Sequence, residues 1–104
     1  LLKGIEMPDA FFCANDEMAW GCIRALSDAG INVPDNVSVM GFDDIILSKY
    51  YHPALTTIHC PVTELGSVSM NELLRLVNQE GRPHGKEIRL SPTLTVRDAC
   101  RVRI

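Results

Sequence analysis

Asn15-Asp16 and Asp43-Asp44 are the two places where this sequence turns abruptly from apolar residues to acids and an amide. Ala10-Phe11-Phe12-Cys13-Ala14 precedes the first, and Val37-Ser38-Val39-Met40-Gly41-Phe42 precedes the second. An amide beside a carboxylate suits a polyhydroxy ligand. The carboxylate accepts from two hydroxyls, and the amide both donates and accepts. The plainer reading of the same residues is structural: Asn15 or Asp16 caps a helix, and Asp43-Asp44 is a solvated turn. A phosphoryl or metal site at Asp43-Asp44 would want a lysine at a neighbouring strand end. Lys3, Lys49 and Lys86 do not stand at one.

Nucleophilic catalysis finds little support. Cys60 follows His59, but adjacent strand residues point to opposite faces. Cys13 has no base nearby in sequence. The four cysteines, Cys13, Cys22, Cys60 and Cys100, are separated by 9, 38 and 40 residues. No pair has the spacing of a zinc knuckle or a redox motif. They read as reduced, buried thiols, which suits the cytoplasm. No glycine-rich phosphate loop is present.

The elements that position these residues follow from periodicity. Residues 10–14 read as a strand buried on both faces. Asn15 and Asp16 then open a helix whose apolar face holds Ala19, Cys22, Ile23 and Leu26, with Glu17, Arg24 and Asp28 opposite. Gly30 can end it in a left-handed cap. After the turn cluster at 32–36, residues 37–42 form a second strand. Residues 45–54 look irregular or briefly helical, and 55–59 is a β-branched third strand. Pro61 fits the first turn of a second helix. Its stripe is Val62, Leu65, Ser69, Leu73 and Leu76, widened by Val77, and Gly81 ends it. Arg82-Pro83-His84-Gly85 is a loop. Residues 86–97 look extended, broken by Pro92. Strands alternating with amphipathic helices predict an α/β fold with a mostly parallel sheet and flanking helices. In such sheets ligands bind beyond the carboxyl ends of the strands, where Asn15-Asp16 and Asp43-Asp44 fall.

The chain has 104 residues, 46% of them hydrophobic and 22% charged, with a net charge of −3. That composition builds a core and excludes a disordered segment. The negative charge argues against a self-contained nucleic-acid binder. Residues 1–81 carry 4 basic and 11 acidic side chains, and residues 82–104 carry 6 basic and 2 acidic. Arg97, Arg101 and Arg103 in that basic stretch read as a solvated terminus. No apolar run approaches the roughly 20 residues needed to cross a bilayer, so no membrane is expected. Leu1-Leu2-Lys3-Gly4 is no secretory signal. A start on Leu suggests a piece of a longer protein. Trp20 lies at the margin of the first helix's apolar stripe. It and Tyr51 suit either packing within the chain or a subunit contact.

Three ordered motifs carry a family resemblance: Ala14-Asn15-Asp16-Glu17-Met18-Ala19, Val33-Pro34-Asp35-Asn36-Val37-Ser38-Val39-Met40-Gly41-Phe42-Asp43-Asp44, and Pro53-Ala54-Leu55-Thr56-Thr57-Ile58. Glu64-Leu65-Gly66 and Leu94-Thr95-Val96-Arg97 extend it. Together they resemble the C-terminal part of the effector-binding domain of lac repressor-type (LacI/GalR) transcriptional regulators. The resemblance implies a partial periplasmic-binding-protein-like (type I) lobe, with residues 1–104 as the back half of the effector domain. The N-terminal lobe and the DNA-binding head would lie outside this chain. It further implies that Asn15 and Asp43 contact a small-molecule effector, a sugar or related metabolite, and that Val62 lines the pocket. Asp16 and Asp44 would support the loops. Trp20 and Tyr51 would lie near a homodimer interface. DNA would be reached only through the missing head. The parent would be a cytoplasmic regulator, with no cofactor, no metal and no enzymatic activity. The alternative is a sugar-binding protein of a transport system, which shares the fold.

Overall fold

The computed structural model describes residue 4, residues 6–81 and residues 84–103. Arg82 and Pro83 of the expected loop, and Leu1, Leu2 and Lys3, lie outside the described residues. The chain divides into two compact units, Leu1–His59 with Thr93–Ile104, and Cys60–Pro92.

The first unit is built around a short sheet. Strand β1 (Ala10–Phe12) runs parallel to β2 (Ser38–Met40), with Phe11 opposite Val39. Isolated parallel bridges from Met40 to Thr56 and from Asp43 to His59 bring in β3 (Thr57–His59). Gly41 N–H donates to Thr56 O and Asp43 N–H to Ile58 O, each at 2.9 Å. Strand β4 (Thr93–Thr95) closes the far side antiparallel to β3. Two two-stranded sheets, parallel β1-β2 and antiparallel β3-β4, are thus joined by isolated parallel bridges. A single helical turn, Ile46–Lys49, occupies the stretch expected to be irregular or briefly helical.

Helix α1 (Asp16–Asp28) begins and ends as its residues dictate. Asn15 Oδ1 accepts from the Met18 N–H at 2.8 Å, and Asp16 and Glu17 sit in the first turn, where the helix dipole favours acids. At the other end Gly30 has φ +74°. Gly30 N–H donates to Ser27 O at 3.0 Å and Ile31 N–H to Leu26 O at 2.9 Å. That pair of bonds is a Schellman cap, which needs a residue tolerant of the left-handed region. Ala19, Ile23 and Leu26 of α1 are buried together with Val37, Val39, Leu55 and Ala99. Arg24 and Asp28 pair on the outer face at 3.0 Å.

Three expectations need correction in this unit. Strand β1 is not buried on both faces. Phe11 packs on the core, but Ala10 and Phe12 point the other way, and Phe12 is 68% exposed. The cysteines are half-buried rather than buried, and Cys13, Cys22 and Cys100 are free thiols. The basic C-terminal stretch is not a solvated tail. Val39 N–H donates to Ala99 O at 2.9 Å, and Ala99 N–H to Ala54 O at 3.0 Å. Arg101 pairs with Asp35 at 3.4 Å, and Arg103 with Asp9 at 2.9 Å. Residues 97–103 are thus held by backbone bonds and by the acids that make the rest of the chain negative.

The second unit holds helix α2 (Val62–Asn78), entered through Pro61, whose carbonyl accepts from the Leu65 N–H at 2.8 Å. Pro61 sits at the cap, one position ahead of the first turn. The helix ends at Asn78, before Gly81, which nevertheless has φ +86°. Its apolar stripe exists but is not buried: Val62, Leu65, Leu73 and Val77 are all exposed. Glu72 binds Arg75 at 2.5 Å and Lys86 at 3.5 Å. Beside them Leu65, Val68, Ile88 and Leu90 line an open groove of about 170 Å³. Among the described residues no helix is long and apolar enough to cross a membrane.

Gly41 is the most confined of the described glycines. A Cβ there would stand 2.4 Å from Asp16 Oδ1 and 3.1 Å from Asp16 Cα. The overlap is with the carboxylate, which cannot swing away without breaking its hydrogen bonds to Ile45, Ser48 and Thr57, and the tight contact with Asp16 Cα leaves little room behind it. Gly41→Ala is expected to lower unfolding stability by about 1–3 kcal/mol in urea titration.

Candidate functional site

The site grows from one buried carboxylate. Asp16, the first residue of α1, is 1% exposed. Its Oδ2 accepts from Ile45 N–H at 3.0 Å and from Ser48 Oγ at 2.5 Å. Its Oδ1 accepts from Thr57 Oγ1 at 2.5 Å. Donors this close are what an ionised acid requires when it leaves water. Asp16 N–H also donates to Phe42 O at 3.0 Å. That bond sets the exit of β1 beside the exit of β2. Asn15 and Asp43, which flank the bonded residues, therefore stand at the same rim of the sheet.

Both side chains keep binding capacity there. Asn15 is half-buried, and its Oδ1 is used by the helix cap. Its amide N–H2 has no partner among the described residues, so the capping reading and the ligand reading coexist on one side chain. Asp43 is exposed, and its carboxylate makes no ion pair or hydrogen bond among the described residues. The backbone around it is unusual. Asp43 has φ +110° and Asp44 φ +56°. Side chains other than glycine visit this region at a cost, and such outliers cluster at binding sites.

Asp44 turns inward and is held on both oxygens. Arg97 Nη2 donates to Oδ1 at 2.7 Å, and His59 Nδ1 lies 2.8 Å from Oδ2. Burial by itself would raise the Asp44 carboxyl. Hydrogen bonds and charge from Arg97 and His59 outweigh it and hold the group below its ordinary value. With Asp44 ionised, His59 Nδ1 carries the shared proton. Arg97 is the residue that sequence reasoning missed. It lies 53 residues from Asp44, and only the loose alternation into Val96-Arg97 hinted that it belonged to a strand end.

The remaining candidates fall elsewhere. Trp20 and Tyr51 stack on each other, with ring centroids 5.0 Å apart and planes 11° from parallel. Trp20 Nε1 is buried without a hydrogen-bond partner. Packing within the chain is thus realised for both rings. Ile46, Leu47 and Tyr50, which shortly precede Tyr51 in the chain, are exposed. Val62 lies in the second unit, at the first position of α2, and is 66% exposed. Burial and the neighbouring Cys22 push the Cys13 thiol up to about 11, which leaves it a poor nucleophile at neutral pH. Among the described residues no group of three or more His, Cys, Asp or Glu is placed to hold a metal ion.

Parallel strands with polar residues at their carboxyl rim and helices beside them define an α/β lobe. The family model for the periplasmic binding protein-like domain matches residues 1–100, and the chain belongs to that family. Within it the chain is similar to effector-binding domains of LacI-type regulators. It is 41% identical over 103 residues to the HTH-type transcriptional repressor PurR of Haemophilus influenzae, covering 97% of this chain and 31% of that protein. A LacI family transcriptional regulator from Enterococcus faecium with bound ribose superposes with a TM-score of 0.80 at 33% identity, over 91% of this chain and 35% of that one. A dimeric Lac repressor gives a TM-score of 0.81 at 36% identity, over 89% and 34%. The chain spans about 30% of the length of the curated relatives it matches.

The Asp44 cluster gives a pH prediction. Its folded value lies below its unfolded value, so its stabilising contribution is present above about pH 4. It is lost as pH falls through the lower folded value. Urea midpoints measured at successively lower pH should fall more steeply below about pH 4 for the native sequence than for Asp44→Asn.

Proposed function

We propose that this chain is the effector-binding and dimer-forming back half of a LacI-type transcriptional regulator. The DNA-binding head and the N-terminal lobe then belong to other parts of the same polypeptide. DNA is reached through that head, and the protein works in the cytoplasm without enzymatic chemistry. The observation that carries this reading is the pairing at one rim of an uncommitted carboxylate, Asp43, with the free amide N–H2 of Asn15. That is the donor and acceptor set a sugar hydroxyl pair needs. The ribose-bound relative supports a sugar as the effector class.

The exposed Ile46, Leu47 and Tyr50, which shortly precede Tyr51 in the chain, support a subunit contact. Aromatic residues are enriched in interface cores.

Calorimetry of the full-length protein with ribose tests the site. Asp43→Ala removes charge-assisted bonds to two hydroxyls and should weaken binding on the order of 100-fold or more. Unchanged affinity would remove Asp43 from the ligand set. For the contact surface, Tyr51→Asp places a charge where the partner would pack. Sedimentation should then show monomers with retained helical circular dichroism, and persistent dimers would assign the stack to packing within the chain alone.

A further inference from the structure

We propose that Arg97, acting through Asp44, is a positioning residue that holds the backbone turn from which the Asp43 carboxylate projects. The inference rests on the reading of Asp43 as a ligand contact, and it adds how that contact is held.

The turn at 43–44 places two consecutive non-glycine residues at positive φ. Such a conformation persists only when its surroundings over-determine it. Three bonds do so here. Asp43 N–H is fixed on Ile58 O at 2.9 Å. The Asp44 carboxylate is fixed on Arg97 and on His59 at 2.7 and 2.8 Å. Consequently the backbone at Asp43 cannot change conformation without drawing Asp44 off its partners.

Arg97 is suited to the anchoring role by geometry. Its side chain is only 18% exposed. One arm of the guanidinium, Nη1, donates to Leu55 O at 2.9 Å, while Nη2 holds Asp44. Its backbone N–H donates to Thr56 Oγ1 at 2.9 Å. The fork therefore ties the turn after β2 to the residues just before β3. A lysine has one nitrogen and cannot fill both bonds in the same plane. The pairing also removes the Asp44 charge from the rim, so Asp43 is the acid left to face a ligand.

Amide hydrogen exchange on the full-length protein tests this without needing a ligand. In Arg97→Gln the Asp43 amide should exchange about tenfold faster or more, because its turn is released. The amides of Ile23 and Leu26 in the core of α1 should keep their native rates. Asp44→Asn keeps the shape of the side chain and loses the charge, so it serves if Arg97→Gln folds poorly. It should give the same local pattern, and Arg97→Lys a smaller one. Equal acceleration at Asp43, Ile23 and Leu26, or none at Asp43, overturns the proposal, since the pair would then be either a general stabiliser or idle. Ribose calorimetry on the same variants separates the two readings. Local release accompanied by roughly tenfold weaker ribose binding supports both. Local release in Asp44→Asn, with ribose affinity unchanged there and in Asp43→Ala, keeps the positioning role and removes the ligand role of Asp43.

Discussion

A carboxylate buried at the start of α1 organises the first unit. Leaving water is costly for an ionised acid unless donors replace its hydration. For Asp16 those donors come from Ile45, Ser48 and Thr57, which are 29, 32 and 41 residues away in sequence. One side chain therefore fastens the helix, the turn after β2 and the edge of β3 to a common point. Gly41 is a consequence of this arrangement, because the Asp16 carboxylate fills the space a side chain would need. The neighbours of the hub inherit its precision. Asn15 stands one residue before it, and Asp43 one residue after the carbonyl to which the Asp16 N–H is bonded.

The rim divides its four polar residues into two pairs. Asp16 and Asp44 are turned inward and satisfied. Asn15 and Asp43 keep groups that face solvent. The division follows from the availability of partners: two hydroxyls and an amide N–H surround Asp16, and an arginine fork and an imidazole surround Asp44. Strain in the 43–44 backbone is tolerated because Asp44 is anchored so fully.

The apolar surfaces tell a different story. Patterning identified the stripe on α2 correctly as apolar, yet Val62, Leu65, Leu73 and Val77 are exposed. An amphipathic period reports which face of a helix prefers burial and says nothing about what covers it. The same holds for β1, where only the Phe11 side finds a core. The Trp20–Tyr51 stack combines the two outcomes: it packs within the chain, and its Tyr51 shortly follows the exposed Ile46, Leu47 and Tyr50 in sequence.

Local sequence determined which elements form and both ends of α1, while the strands and α2 stop short of their expected limits. Asn15 and Gly30 bound α1 through a side-chain oxygen and a positive φ, and the period of Ala19, Ile23 and Leu26 chose its buried face. Alternation of apolar runs with helices was enough for the parallel α/β layout. The motif order was enough for the family, and strand-end position was enough to mark Asn15-Asp16 and Asp43-Asp44 as the polar rim. Tertiary structure decided which of the clustered acids would be buried, since that depends on donors dozens of residues distant. It also moved Arg97 from a presumed free tail to the heart of the Asp44 anchor, and it paired the other terminal arginines with acids near β1 and β2. Periodicity is a local property of the chain, whereas the neutralisation of a buried charge is settled by whatever the fold brings within about 3 Å.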